Sequence, residues 1–82
     1  MPRIAPVHWK TLECVFVKAG FRFERQKGSH RSYVRDDCLR PVVIPTYAEV
    51  QVDIIQANMR TARMSREEYF NYLVSDRKQI TL

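Results

Sequence analysis

Residues 16–35 read FVKAGFRFERQKGSHRSYVR, and the spacing of the apolar residues changes in the middle of this stretch. Before Gly20 the apolar residues recur at helical spacing, and after it they alternate with polar ones. A glycine at this point favours a left-handed residue that ends the helix, and Phe16 and Phe21 stand where the accompanying hydrophobic contact is made. The stretch therefore predicts a helix that stops at Gly20 and is followed directly by β-strands.

The alternating segment predicts a three-stranded antiparallel meander. Strands are expected over residues 21–27, 30–35 and 41–45. Gly28-Ser29 predicts the first turn, since glycine permits a positive φ and serine can bond the local backbone. The prolines at both ends of the third strand are typical of an edge strand or a strand end.

The remaining segments predict helices. Residues 7–19 and 49–62 have helical period, and Ser65 with Glu68 has the spacing of a capping box that begins a short third helix. Residues 76–82 are expected to form a loose tail. The order α-β-β-β-α-α predicts an α+β fold, a two-layer sandwich in which helices pack on one face of the sheet and leave the other face open.

Length and composition predict a single domain with its core at about residues 7–74. A chain of 82 residues buries a thin core, which leaves no room for a deep cofactor pocket. No signal peptide and no membrane span is evident, so we expect a cytoplasmic protein that needs no small-molecule cofactor. Cys14 and Cys38 are expected to be thiols, because neither has the neighbours of a zinc site.

Positive charge is concentrated in one segment of the chain. The net charge is +5, and between residues 18 and 35 six lysines and arginines face only Glu24, so this segment alone carries the same charge. The six are Lys18, Arg22, Arg25, Lys27, Arg31 and Arg35. This clustering favours a polyanion such as nucleic acid as the partner, the alternative being a solvated face that keeps the protein soluble.

Within the basic segment, His30 is the residue best suited to acid or base chemistry. Histidine ordinarily titrates near operating pH, and a glycine turn just before it lets a phosphate approach closely. Lys27 is the better candidate to neutralise a phosphate, because strand alternation puts Arg31 on the opposite face from His30. From residue type alone, a strand-end histidine bonded to a backbone carbonyl is the competing interpretation.

Asp36 and Asp37 are adjacent in a turn and do not form a two-metal site, so no metal is expected.

Several of these features occur together in the order of a known family. They are Gly20-Phe21, the run 27–30 followed by Tyr33, the strand 42–45, Ile54-Ile55, and residues 64–70. Over about residues 7–74 the series resembles the HicA family, the toxins of HicA–HicB toxin–antitoxin pairs.

The resemblance implies a fold, an activity and a partner. The fold would be similar to a double-stranded-RNA-binding domain, and the activity would be that of an mRNA interferase, an endoribonuclease that halts translation. A HicB-like antitoxin would cover the active site, and its acidic side is expected to meet the basic strands. His30 corresponds to the histidine regarded as essential in the family. The candidate RNA-binding residues are Lys27, Ser29, Arg31, Arg25, Arg22 and Tyr33.

One position departs from the family pattern. Many relatives have a histidine two residues after the proline that ends the third strand, and Tyr47 stands there in this chain. Alongside a metal-independent endoribonuclease, two other functions therefore remain open. One is a non-catalytic RNA-binding module, and the other is an inactive toxin-like protein-interaction module.

Overall fold

The computed structural model describes residues 3–80 of the chain, and their side chains as far as residue 74. The elements are α1 (Trp9–Lys18), β1 (Arg22–Lys27), β2 (His30–Val34), β3 (Val42–Pro45), α2 (Val52–Ala62) and α3 (Arg66–Ile80). The predicted α+β fold and the predicted order of elements are confirmed. None of the helices in the described part of the chain has the length and apolar character needed to cross a membrane.

The three strands form one antiparallel sheet in the order β1-β2-β3. Residues that pair across strands share a face, so the register defines an inner and an outer face. The inner face carries Phe23, Gln26, Arg31, Tyr33, Val42 and Ile44. The outer face carries Arg22, Arg25, Lys27, His30, Ser32, Val34, Val43 and Pro45.

The helices cover the inner face except at β1, where Phe23 and Gln26 are exposed. α1 and α2 both contact β3, and α3 packs on α1. The buried core combines Leu12, Val15 and Phe16 of α1 and Ile55, Met59 and Ala62 of α2 with Tyr33, Val42 and Ile44 of the sheet. On the outer face His30, Lys27 and Arg25 are exposed, so the sheet keeps one open face, as predicted.

The end of α1 has the geometry that the sequence predicts. Gly20 has φ +100°, which an L-residue with a side chain rarely adopts. The Phe21 N–H donates to the Phe16 carbonyl at 3.0 Å, and the Gly20 N–H donates to the Val17 carbonyl at 3.0 Å. The rings of Phe16 and Phe21 meet edge to face at 5.8 Å. These contacts define a Schellman ending, which directs the chain back into β1.

The capping box of α3 is also confirmed. The Glu68 N–H donates to Ser65 Oγ at 3.1 Å, and the Ser65 N–H donates to Glu68 Oε1 at 2.9 Å. The helix itself is longer than predicted, because no glycine or proline follows to stop it and it continues to Ile80. The prediction of a loose tail is therefore wrong for residues 76–80, while residues 81 and 82 lie outside the described residues.

Both of the other helices begin later than their periodicity suggests. The expected starts were residues 7 and 49, whereas α1 begins at Trp9 and α2 at Val52. Val7 and Val50 form an isolated β-bridge with each other, with N–H···O distances of 3.2 and 2.7 Å. Because this bridge requires extended backbone at both residues, neither can belong to a helix.

Candidate active site on the open sheet face

His30 is the first residue of β2 and follows a two-residue hairpin turn. Gly28 has φ +60°, while Ser29 has a negative φ, which is the pattern of a type II′ turn. A Cβ added at Gly28 would meet no atom within 4 Å, so glycine is required here by backbone conformation and not by lack of space. The tight turn leaves the His30 side chain exposed at the end of the sheet.

The loop after β3 holds this turn in place. Thr46 donates to the Ser29 carbonyl twice, from its backbone N–H at 2.7 Å and from Oγ1 at 3.1 Å. Pro45 pairs with His30 across the sheet. The backbone of His30 therefore sits between two anchored segments while its imidazole remains in solvent. Sequence analysis did not identify Thr46, because no local pattern links a residue after β3 to the first turn.

A β-bulge brings Lys27 to the same face as His30. The register between β1 and β2 shifts between Phe23 and Arg25, and Lys27 then pairs directly with His30. Without the shift, strict alternation would place Lys27 on the covered face with Phe23. Directly paired residues have Cβ atoms about 4.5–5.5 Å apart, so the ammonium can reach an anion held at the imidazole.

These two side chains have no partners of their own. Among the side chains that the structure describes, which end at residue 74, neither the His30 imidazole nor the Lys27 ammonium makes a hydrogen bond or an ion pair. Arg25 is on the same face, is exposed and is likewise without a partner in this part of the chain. The competing interpretation of His30, a histidine bonded to a backbone carbonyl, does not match this arrangement.

Arg22 and Ser29 complete the exposed polar group. Arg22 lies at the far end of β1 and pairs with Asp36 at 3.1 Å, but its side chain is 64% exposed. An ion pair this exposed contributes little, so Arg22 can exchange Asp36 for a phosphate. Ser29 is exposed in the turn beside His30.

Arg31 and Tyr33, which we expected to contact RNA, lie on the covered face. Arg31 Nε donates to Tyr33 Oη at 2.9 Å, and its terminal nitrogens donate to Gln26 at 2.8 Å and Glu13 at 3.2 Å. The guanidinium also lies 4.1 Å from the centre of the Phe23 ring. Arg31 is therefore part of an internal polar network, and its donors are used within the protein.

Tyr33 is fully buried in this network, so its expected contact with RNA is wrong. Its exposed fraction is 0%, and its hydroxyl donates to Glu13. Burial, together with the hydrogen bond to Glu13, raises the pKa of Tyr33 to about 12. The residue keeps its proton and holds β2 against α1.

Tyr47 lies at the His30 end of the sheet. It follows Pro45 by two residues, its side chain is 46% exposed, and its carbonyl accepts from the Trp9 N–H at 3.2 Å.

The other histidine, His8, has a structural position, because its Nδ1 accepts from the Lys10 N–H and caps α1. In the described part of the chain, no three His, Cys, Asp or Glu side chains are grouped as metal ligands would be.

The fold and the site together define a class of protein. It is a small α+β domain with a helix-covered sheet, whose open face is basic and carries a histidine at a hairpin turn.

Comparison with protein families identifies the family within this class. The sequence model described as the HicA toxin of bacterial toxin–antitoxin systems matches residues 9–64, which is more than half of the chain. The chain belongs to the HicA toxin family, and its role is that of the toxin of a toxin–antitoxin pair. Membership implies an antitoxin as its partner. No curated protein matches the chain.

Proposed function

We propose that this toxin is a metal-independent endoribonuclease that cleaves mRNA, with His30 as its acid/base residue. The observation that supports this most directly is the pairing of His30 with Lys27 on the open face. Both side chains are exposed, and neither has a partner among the side chains that the structure describes, as far as residue 74. A histidine beside a cation is the pair that proton transfer at a phosphate requires.

The reaction follows from the chemistry of RNA. His30 accepts the proton of a ribose 2′-OH while the 2′-oxygen forms a bond to the adjacent phosphorus. The bond from phosphorus to the 5′-oxygen breaks, and the leaving oxygen takes up a proton from solvent or from the imidazolium. The products are a 2′,3′-cyclic phosphate and a 5′-hydroxyl. Lys27, opposite His30, neutralises the charge that develops on the phosphate.

The remaining exposed residues of the basic segment bind the substrate. Arg25 and Arg22 lie along β1 on the same face as Lys27, so they follow the phosphates of one strand. Ser29 lies in the turn beside His30, where its hydroxyl can hydrogen-bond a phosphate or ribose oxygen. Tyr47, half-exposed at the same end, offers a ring on which a base can stack. Because these contacts are mainly ionic, we expect RNA binding to weaken steeply with added salt.

The partner that would neutralise this activity is a HicB-like antitoxin. Its acidic side would cover the basic open face and block access to His30. We place both proteins in the cytoplasm, where mRNA is translated.

A non-catalytic RNA-binding module is the second candidate. It is favoured by the single histidine on the open face and by Tyr47 at the position where many family members have another histidine. Such a module would use the same cations for binding and would leave the RNA intact.

The test is incubation of a long mRNA with the purified protein in EDTA, beside the variants His30→Ala and His8→Asn. Asparagine preserves a helix N-cap, so the second variant removes the other histidine without loosening α1. We expect the wild type and His8→Asn to cleave, and His30→Ala to lose at least about 100-fold in rate. Equal cleavage by His30→Ala would refute the role of His30. Salt-sensitive binding without cleavage by the wild type would identify the binding module.

A further inference from the structure

A second exposed surface lies at the opposite end of the sheet from His30. β2 runs from His30 to Val34, so the loop after it begins about 13 Å from His30, at ~3.3 Å per residue. A groove of about 480 Å³ separates this loop from the C-terminal end of α2. Its exposed lining includes Asp37 and four further residues, which we call the Leu39 patch: Leu39, Arg40, Arg60 and Arg63.

The two residues before Leu39 are hydrogen-bonded to the rest of the fold. Arg63 donates to the Asp37 carbonyl at 2.6 Å, and Arg35 donates to Asp37 Oδ1 at 2.5 Å. Arg35 also contacts Cys38 Sγ at 3.5 Å. Leu39 follows these anchored residues directly and is fully exposed. Because Asp37 and Cys38 are anchored, the backbone that leads to Leu39 loses less conformational entropy when a partner binds.

The patch carries a local excess of positive charge. The guanidinium groups of Arg40 and Arg60 have no hydrogen bond or ion pair among the side chains that the structure describes. The carboxylate that lines the groove is that of Asp37, which Arg35 already neutralises, and the hydrogen bond from Arg35 lowers the pKa of Asp37 below its usual value. The partner of this patch should therefore be acidic.

The apolar part of the patch distinguishes protein from RNA as the partner. Proteins that bind single-stranded RNA usually combine cations with aromatic rings on which bases stack, and no aromatic side chain lines this groove. Leu39 is aliphatic, and burying it in an apolar pocket would be favourable. Arginine is enriched at protein–protein interfaces, and here three arginines lie around one exposed apolar side chain.

We propose that the Leu39 patch is a docking surface for an acidic protein segment that carries an apolar pocket, and that the antitoxin supplies this segment. The surface is separate from the His30 end of the sheet, so binding here holds the partner without itself covering His30. This proposal rests on the antitoxin partner that family membership implies.

The test measures affinity of the full-length chain for the antitoxin and, separately, for a single-stranded RNA oligonucleotide. The variants are Leu39→Asp and Arg60→Glu. The controls are Val17→Asp, which adds the same charge at another exposed apolar residue, and Arg3→Glu, which reverses an exposed charge elsewhere. We expect each patch variant to weaken antitoxin binding about 10-fold or more, while RNA binding stays within about 2-fold of wild type.

Three results would overturn the proposal. If the wild type binds no antitoxin, the proposed toxin–antitoxin complex and the proposed docking surface are both refuted. If Leu39→Asp and Arg60→Glu bind antitoxin as the wild type does, the docking surface is refuted. The toxin–antitoxin complex and the nuclease proposal then stand. If both variants lose RNA binding, the Leu39 patch is part of the RNA-binding surface and not a separate docking site. Thermal unfolding of each variant shows whether a loss comes from misfolding.

Discussion

His30 and Arg31 are neighbours on one strand, yet the structure gives them different environments. The pleat of β2 directs His30 to solvent and Arg31 toward Glu13 and Tyr33 on the covered face. Both residue types are common at RNA interfaces, so chemistry alone does not separate them. The face of the strand decides which cation can meet a phosphate.

Tyr33→Phe tests the internal network through its pH dependence. The folded-state pKa of Tyr33 is about 12, above its ordinary 10.0, so its contribution to stability is complete below pH 10 and is lost as the pH rises through about 12. We expect Tyr33→Phe to lose about 1 kcal/mol at neutral pH, because it lacks the hydrogen bond to Glu13. Its stability should also fall less steeply in the alkaline range. Urea unfolding at neutral and alkaline pH measures both effects.

Tyr69→Phe is the matched control. Burial also raises the pKa of Tyr69, but its hydroxyl has no hydrogen-bond partner among the described residues. Removing this hydroxyl should therefore make the alkaline fall shallower without a loss at neutral pH. A neutral-pH loss as large in Tyr69→Phe as in Tyr33→Phe would contradict the importance assigned to the Glu13 hydrogen bond.

At the scale of elements, the two edges of the sheet are protected from pairing with other chains in different ways. The free edge of β3 is covered by Asn58 of α2, whose amide accepts from the Val43 N–H at 3.3 Å and donates to the Val43 carbonyl at 2.9 Å. β1, the other edge strand, is exposed along its whole length and carries a bulge and several charges. Bulges and charges are the features that keep an open edge from pairing with other chains.

Asn58→Leu tests the edge contact. Leucine would leave both polar groups of Val43 without partners next to a buried helix face, which costs about 1–3 kcal/mol in the free energy of unfolding. Gln56→Leu, on an exposed position of the same helix, should change stability by less than about 0.5 kcal/mol. Chemical denaturation of both variants measures the difference. Equal stabilities would show that the Asn58 contact contributes nothing.

At the scale of the whole molecule, Arg35 joins elements that are far apart in the sequence. It donates to the Ala19 carbonyl at the end of α1 at 2.7 Å and to the Ala62 carbonyl at the end of α2 at 3.1 Å. Its guanidinium also lies 4.5 Å from the centre of the Phe21 ring. A cation at a helix C-terminus is favourable, and here one cation serves two helices.

Arg35→Met should therefore destabilise the molecule as a whole. We expect a loss of about 2–3 kcal/mol, because two helix ends lose a charged hydrogen-bond donor at once. Arg40→Met removes an exposed arginine without a partner in the described residues and should have little effect. Thermal and urea unfolding of both variants test this. A loss below about 0.5 kcal/mol for Arg35→Met would contradict a joining role.

The sequence by itself determined the elements, their order and three of their boundaries, but not where α1 and α2 begin or where α3 ends. The Gly20 ending, the Gly28-Ser29 turn and the Ser65–Glu68 capping box each depend on residues within a few positions of one another, so local spacing was sufficient to predict them. The family and the toxin role were also accessible from the order of these local features. The catalytic role of His30 stays a prediction, drawn mainly from the resemblance of the run 27–33 to that family.

Tertiary structure decided which side chains share a surface. A single bulge brings Lys27 to the face of His30, and Thr46 reaches back to hold the turn from a strand away. Arg31 is withdrawn into a network with Glu13, a residue of α1. Register and long-range contacts depend on how strands and helices pack together, and a change of one residue in register exchanges the two faces of a strand. No pattern confined to one segment contains that information.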